Sequence, residues 1–238
     1  MSAEAGLPVE TVRAAAYRIP TDGPERDGTF EWEATTLVVV QVRAGGRTGL
    51  GYTYADAAAA GVATGVLAQA LARLDAMDIE RCWSAMQRAV RNIGRSGIAA
   101  CAISAVDTAL WDLKARALGL PLATLLGRCR DEVPVYGSGG FTNYDDARLR
   151  GQLAGWVERD GCRMVKMKIG SDPADDPRRI AVARDAIGDA ELFVDANGAC
   201  TARQALRLLA ACAHAGLRWF EEPVSSDDAA GLRQVREA

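Results

Sequence analysis

The chain has 238 residues, 49% of them hydrophobic and 25% charged, with a net charge of −3. That is ample apolar material for a buried core, and the length permits one or two domains. No run of Lys and Arg forms a basic stripe, so no nucleic-acid partner is expected. The longest apolar stretches look too short or too interrupted to cross a bilayer, and Met1 to Val9 lacks the basic-then-apolar order of a signal peptide. Cysteines stand at 82, 101, 129, 162, 200 and 212 with no CxxC pair, and His214 is the single histidine. Both facts argue against zinc and for reduced, buried or half-buried thiols, Cys101 and Cys212 among them, in a cytoplasmic protein.

The first part of the chain begins with a predicted strand over Val9 to Ile19. Pro20 to Glu33, rich in Gly, Pro and charge, reads as a mobile loop. The β-branched run Thr35 to Val42, the turn Ala44-Gly45-Gly46-Arg47 and the return Thr48 to Tyr54 predict a hairpin. Ala57 to Leu126 is helical in pattern. Leu67, Leu71 and Leu74 recur at helical spacing, as do Ile103, Val106, Leu110 and Leu113, before Gly119-Leu120-Pro121. Residues 1–130 are therefore expected to form a small α+β domain.

Near Val133 the rhythm changes. Strands are predicted at Val133–Gly137, Arg163–Ile169, Glu191–Asp195 and Arg218–Glu221. Helices alternate with them at Asp145–Arg159, Pro177–Ile187, Thr201–Ala215 and Asp227–Glu237. Such alternation means parallel strands with crossover helices. Residues 131–238 supply about four βα units, half of the roughly eight in a closed barrel. The expected fold is thus an α+β capping domain followed by the first half of a (β/α) TIM-type barrel.

Three segments recur at one interval: Val-Lys-Met-Lys-Ile-Gly at 165–170, Val-Asp-Ala-Asn-Gly at 194–198 and Trp-Phe-Glu-Glu-Pro at 219–223. Lys168 to Asp195 is 27 residues and Asp195 to Glu221 is 26. A βα repeat of that length sets one polar side chain after another at the same mouth of a barrel. Lys166 and Lys168, two apart on a strand, share a side, and side-by-side ammonium groups are expected to lower each other's pKa toward the range of a general base. Asp195 and Glu221 offer the oxygen ligands that a hard cation such as Mg²⁺ takes. Each motif alone has a plainer reading: a KxK strand with solvated lysines, or an aspartate capping the next helix. Glu222 should point away from Glu221 and act as a structural or indirect group, and Pro223 ends the strand. His214 reads as a surface or packing residue, and Trp111 and Trp219 as core.

Together these segments resemble the enolase superfamily, in its mandelate racemase and muconate lactonizing group. Ala105-Val-Asp-Thr-Ala-Leu-Trp-Asp-Leu-Lys114, with Gly119-Leu-Pro and Leu125-Leu-Gly127, resembles the end of that group's capping domain, and Val135-Tyr-Gly-Ser-Gly-Gly140 its first barrel strand. The resemblance implies Mg²⁺ held by Asp195 and Glu221, with Lys168 as the base that removes the proton α to a carboxylate. Lys166 then orients the carboxylate, and Asn197 is a polar group beside the metal. The loop Pro20 to Glu33 and the segment Tyr52 to Asp56, with Tyr54 as a substrate-side candidate, match capping loops that set specificity.

The implied reaction forms an enediolate from a small carboxylate, such as an acid sugar, in a racemase or dehydratase; a cycloisomerase or an inactive truncated fragment is the alternative. The 26–27 interval places a third metal ligand near residue 247, past Ala238, so the chain is expected to lack it together with the opposite acid/base. A full-length chain would be expected to form a homo-oligomer.

Overall fold

The computed structural model describes residues 6–238. They form two compact units: the segment up to Pro20 together with Ala34–Asp131, and Thr21–Glu33 together with Glu132–Ala238.

In the first unit, β1 (Val9–Arg26), β2 (Glu31–Ala44) and β3 (Arg47–Tyr54) make a sheet in the order β1-β2-β3. β2 and β3 pair antiparallel from Ala44↔Arg47 to Leu37↔Tyr54. The turn between them is Gly45-Gly46, both at positive φ, as a tight hairpin of this hand requires. Alternation on β2 turns Val38, Val40 and Val42 inward, where each is fully buried. The helical part begins with α1 (Ala58–Val62) and α2 (Ala68–Leu71), joined by a π-helical turn at Ala63–Leu67. It continues through α3 (Ile79–Ala89), α4 (Ala100–Leu118) and a single turn, α5 (Leu122–Leu125). Leu67, Leu71, Val106, Leu110 and Leu113 are completely buried, as their spacing predicts. Leu74 falls beyond α2 and packs only partly against this core.

Gly49 and Gly51 on β3 let the strand lie directly on the α4 backbone. A Cβ at either position would collide with the carbonyl oxygen of Ala109 or Ala105. The stretch Arg95–Leu118 is long and apolar enough to cross a bilayer, contrary to the sequence expectation. It is broken near its start by Gly97 at positive φ, and its apolar side chains are the ones that pack under β3 in this core. Length and hydropathy look the same in a core helix and a membrane span.

Pro20–Glu33 is ordered, which corrects the mobile loop expected from composition. β1 runs on to Arg26, and the hairpin tip belongs to the second unit. Thr142 N donates to Arg26 O at 2.7 Å, Asn143 Nδ2 donates to Pro24 O at 2.7 Å, and the Trp32 ring meets Phe141 edge-on. These tertiary partners override local Gly and Pro content, which reports only the entropy that ordering must overcome.

The second unit is a four-stranded sheet in the order β4 (Gly137–Gly139), β5 (Met164–Lys168), β6 (Glu191–Asp195), β7 (Leu217–Glu221), parallel throughout. Its helices are α6 (Asp146–Glu158), α7 (Asp176–Ile187), α8 (Ala202–Ala211) and α9 (Ala229–Glu237). Asp145 and Thr201, expected as first helical residues, are instead N-caps that accept from the backbone of Arg148 and Gln204. α8 stops at Ala211, and His214 lies exposed on a short 3₁₀ turn.

The β4 expectation is shifted. Val133 and Val135 are exposed, and the paired residues are Gly137, Ser138 and Gly139. The Trp156 ring and Gln152 lie against the bare backbone of those two glycines, so packing chose a segment of poor strand propensity over a β-branched one. Val165 and Met167 on β5, Ile169 just past it, and Leu192 and Val194 on β6 are fully buried against the helices with Leu149, Leu153 and Ile180.

The α4–β3 contact leads to a stability prediction. Gly51→Ala should lower unfolding free energy by about 1–3 kcal/mol through overpacking, measured by urea denaturation. Gly61→Ala, with open space around it, should not destabilise.

Candidate active site

The alternation that buries Val165 and Met167 sends Lys166 and Lys168 to the opposite face of the sheet. Register aligns them with neighbours of the same parity: Lys166↔Phe193↔Trp219 in one row, Lys168↔Asp195↔Glu221 in the next. The three segments spaced in sequence thus form one transverse row at the C-terminal ends of parallel strands.

Within that row charge is closely interleaved. Lys168 Nζ donates to Asp195 Oδ2 at 2.6 Å and to Asn197 Oδ1 at 3.0 Å. Lys166 Nζ donates to Glu221 Oε2 at 2.6 Å and lies 3.5 Å from Asp195 Oδ2. The side chains of Lys166 and Asp195 are only 6% and 2% exposed, and Glu221 is 33% exposed. Burial at this level is sustainable because two cations face two anions.

The expectation of a lowered lysine pKa fails for Lys166. Burial pulls it down, but the hydrogen bond to Glu221 and the charges of Asp195 and Glu221 outweigh burial and hold the ammonium above its usual value. Mutual repulsion between lysines assumed no anions in reach; the strands on one side supply both.

Asn197 and Glu222 each adopt positive φ just past their strands. Asn tolerates this region. Asn197 N donates to Asp195 Oδ1 at 2.9 Å, fixing the carboxylate's second oxygen. Because Glu222 has left strand geometry, alternation no longer directs it, and Asn197 Nδ2 donates to its Oε2 at 3.4 Å. Tyr54 stands in the other unit, exposed, with its ring edge-on to Tyr52. Trp219, expected in the core, is 58% exposed: it lies on β7, the edge strand of this sheet. With Tyr136, Phe193 and Glu221 it lines an open cleft of about 610 Å³. Trp111 does pack against the core of the first unit.

Sequence reasoning missed Tyr136, whose ring lies 5.3 Å from Lys166 Nζ and edge-on to Phe193. The parity of Phe193 with Asp195 was readable; the position of Tyr136 before a glycine strand was not. It also missed a buried pair on α7. Arg179 donates to the carbonyls of Tyr144 (2.8 Å) and Phe141 (3.0 Å), bracing the loop after β4, and its Nε is buried without a partner. Asp176, 2% exposed, accepts from Gly170 N at 2.9 Å, and burial pushes its carboxyl up to about 6.

Among the described residues no three His, Cys, Asp or Glu side chains gather as a metal cluster. All six cysteines are free, with Cys82, Cys200 and Cys212 buried and Cys101 half-buried. The donor set at the strand ends is two carboxylates and an amide oxygen, hard ligands with neither thiolate nor imidazole, which fits part of the shell of a hard dication.

Two family models match the chain: the mandelate racemase / muconate lactonizing enzyme N-terminal domain over residues 12–127, and the enolase C-terminal domain-like model over 148–238. The chain belongs to the mandelate racemase/muconate lactonizing enzyme group of the enolase superfamily. It is 40% identical to a 3,6-anhydro-alpha-L-galactonate cycloisomerase of Streptomyces coelicolor, an alignment covering 97% of this chain and 66% of the relative. Identity to an L-talarate/galactarate dehydratase of Salmonella typhimurium is 34%, over 100% and 63%. The crystal structure of a mandelate racemase/muconate lactonizing enzyme-like protein from Rubrobacter xylanophilus superposes with a TM-score of 0.94 at 52% identity, covering 97% of this chain and 64% of that one. A Streptomyces coelicolor racemase with bound magnesium superposes at 0.91 and 37% identity, over 95% and 66%. The chain therefore spans about two thirds of the length of the group members it matches. Its capping-type sheet and helices and its partial parallel barrel are the group's architecture.

Two predictions follow from the charges. Asp195→Ala leaves two nearly buried ammonium groups short of an anion and should cost about 3–5 kcal/mol of unfolding free energy, read by chemical denaturation. Asp176 has a folded pKa (about 6) above its ordinary 3.8, so its contribution to stability is complete below pH 4 and is lost as pH rises through 6. Asp176→Asn abolishes that loss. Relative to wild type, the variant should gain about 3 kcal/mol between pH 4 and pH 7.5, measured by denaturant titration at both values.

Proposed function

We propose that the protein removes the proton α to the carboxylate of a small sugar acid in an Mg²⁺-dependent reaction of the racemase or dehydratase kind. The observation that carries this reading is the single row Lys168, Asp195, Glu221, with Lys166 one step behind it on the same face.

Asp195 and Glu221 would hold the ion, with Asn197 fixing the Asp195 carboxylate through its backbone N–H. A bound Mg²⁺ would supply Lewis-acid stabilisation of the charge that builds on the substrate carboxylate as the proton leaves. Lys168 would first lose its ammonium proton to solvent and release Asp195, and as a neutral amine its Nζ would take the α-proton. Lys166 stays an ammonium and binds a substrate carboxylate oxygen. Tyr136, Phe193 and Trp219 give the cleft beside Lys166 an aromatic lining. Glu222, which accepts from Asn197 Nδ2, is assigned to substrate contact or support.

A sugar acid is favoured by the relatives: galactonate-derived, talarate/galactarate, arabinonate and gluconate enzymes recur among them. Two of the relatives are cycloisomerases acting on such compounds, which supports cycloisomerisation as a second reading. Both readings begin with the same proton step. The reading further places the protein in the reducing cytoplasm, in keeping with six free thiols, and in a homo-oligomer.

Incubation of the protein with Mg²⁺ and a panel of aldonic and aldaric acids in D₂O should exchange the α-proton, followed by NMR. Lys168→Ala should slow exchange on the order of 10²–10⁴-fold. Absence of exchange from a folded protein across the panel would overturn the reading, and the product formed separates racemisation, dehydration and cyclisation.

A further inference from the structure

We propose that the hairpin tip at Asp27-Gly28 is a fixed wedge that sets the height of the strand ends carrying Lys168 and Asp195, and that Gly28 is its positioning residue. The proposal deepens the reading above, since it assigns a role toward that same row.

Gly28 is not at positive φ, so no turn geometry calls for glycine there. The surroundings do. A Cβ on Gly28 would collide with the carbonyl oxygen of Ala196, lie 2.7 Å from that of Ile169 and touch Ala199 Cβ at 3.0 Å. Ile169 and Ala196 are the residues immediately after Lys168 and Asp195. The bare Cα of the tip thus lies against the first carbonyls past both strands at once. The residues that carry them are tied to the sheet by their own amides: Ile169 N donates to Asp195 O at 2.9 Å and Ala196 N to Glu221 O at 3.2 Å. Opposite the tip, Gly170 at φ 99 keeps the same space clear.

The tip cannot back away, because it is pinned behind. Asp27, 9% exposed, accepts from Thr29 N and Phe30 N, each at 2.7 Å, which closes the turn on itself. Thr142 N donates to Arg26 O at 2.7 Å, and Thr142 Oγ1 donates to Asp27 O at 3.1 Å. The loop after β4 therefore holds the wedge from one side while the ends of β5 and β6 bear on the other. Hydrogen bonds of 2.6 Å between Lys168, Asp195, Lys166 and Glu221 tolerate shifts of only a few tenths of an ångström before they weaken. A thicker residue at 28 must move either the tip or the strand ends by more than that. The exposed side chains of Thr29 and Phe30 are carried on this wedge and so have a set place.

The same loop contains a matched control. Gly23 also has ordinary φ, and a Cβ there meets only the end of Arg148 at 3.9 Å. Gly28→Ala and Gly23→Ala would be compared by amide hydrogen exchange and by Mg²⁺ titration calorimetry. Gly28→Ala should speed exchange of the Ile169 and Ala196 amides at least tenfold and weaken Mg²⁺ binding at least tenfold, with the mid-strand amides of Val165 and Leu192 unchanged. Gly23→Ala should stay within twofold of wild type in both. Thr142→Val, which removes the Oγ1 bond without entering the strands, should move the same two amides in the same direction and serves if Gly28→Ala does not fold. Gly28→Ala matching Gly23→Ala, or Thr142→Val matching wild type, overturns the wedge. Failure of the wild-type protein to bind Mg²⁺ counts against the reaction proposed above, while the exchange of Ile169 and Ala196 still decides the wedge.

Discussion

Two ammonium groups and two carboxylates, all but Glu221 nearly buried, meet at the strand ends, and neither pair could be there without the other. A lone charge in that position would shift to its neutral form or pull water in. Interleaving them on three adjacent strands removes the penalty, provided that register holds to the residue. A slip of one position on β5 would send Lys166 and Lys168 into the apolar layer and Met167 to the mouth. The helices that cover Val165, Met167, Leu192 and Val194 therefore do more than stabilise the sheet: they make the wrong register prohibitively costly. Packing on one face dictates chemistry on the other.

Much of this was legible in the sequence because it depends on periods. The 27- and 26-residue intervals and the two-residue spacing of Lys166 and Lys168 translate directly into one row on one face. The inward valines of β2 and the leucines of α4 follow the same logic. What was not legible depends on partners distant in the chain. The tip at 21–33 has the composition of a mobile loop and is ordered by Thr142, Asn143 and Phe141. Strand β4 forms on Gly137 and Gly139 because Trp156 needs their bare backbone. Lys166 is held charged because Glu221, 55 residues on, reaches it. Trp219 looked like core by residue type alone, whereas parity with Glu221 would have put it at the cleft.

The group to which the chain belongs contains enzymes of several reaction types, and the site described here is the part that such reactions can share. Proton removal beside a carboxylate needs a base, a counter-charge for the developing anion and a fixed distance between them. In the proposed reaction Lys168 is the base, a dication held by Asp195 and Glu221 would be the counter-charge, and the parallel register fixes their spacing. Nothing in that row distinguishes one sugar acid from another. The aromatic lining of the cleft beside that row comes from Phe193 and Trp219 on the strands and from Tyr136 just before β4.

The path of the first hairpin also bears on how the protein folds. Its two long strands are rooted in one compact unit while its tip is counted in the other, so the backbone passes between units at residues 20, 33 and 131. The contacts of the tip with residues 142 and 143 span well over 100 positions. Such non-local closure is slow to form, and the early-synthesised tip must wait for the barrel strands to appear. Once closed, the tip is held in the second unit by contact as well as by chain, and a nick within residues 21–33 would be expected to loosen the loop at 142–143 that it meets.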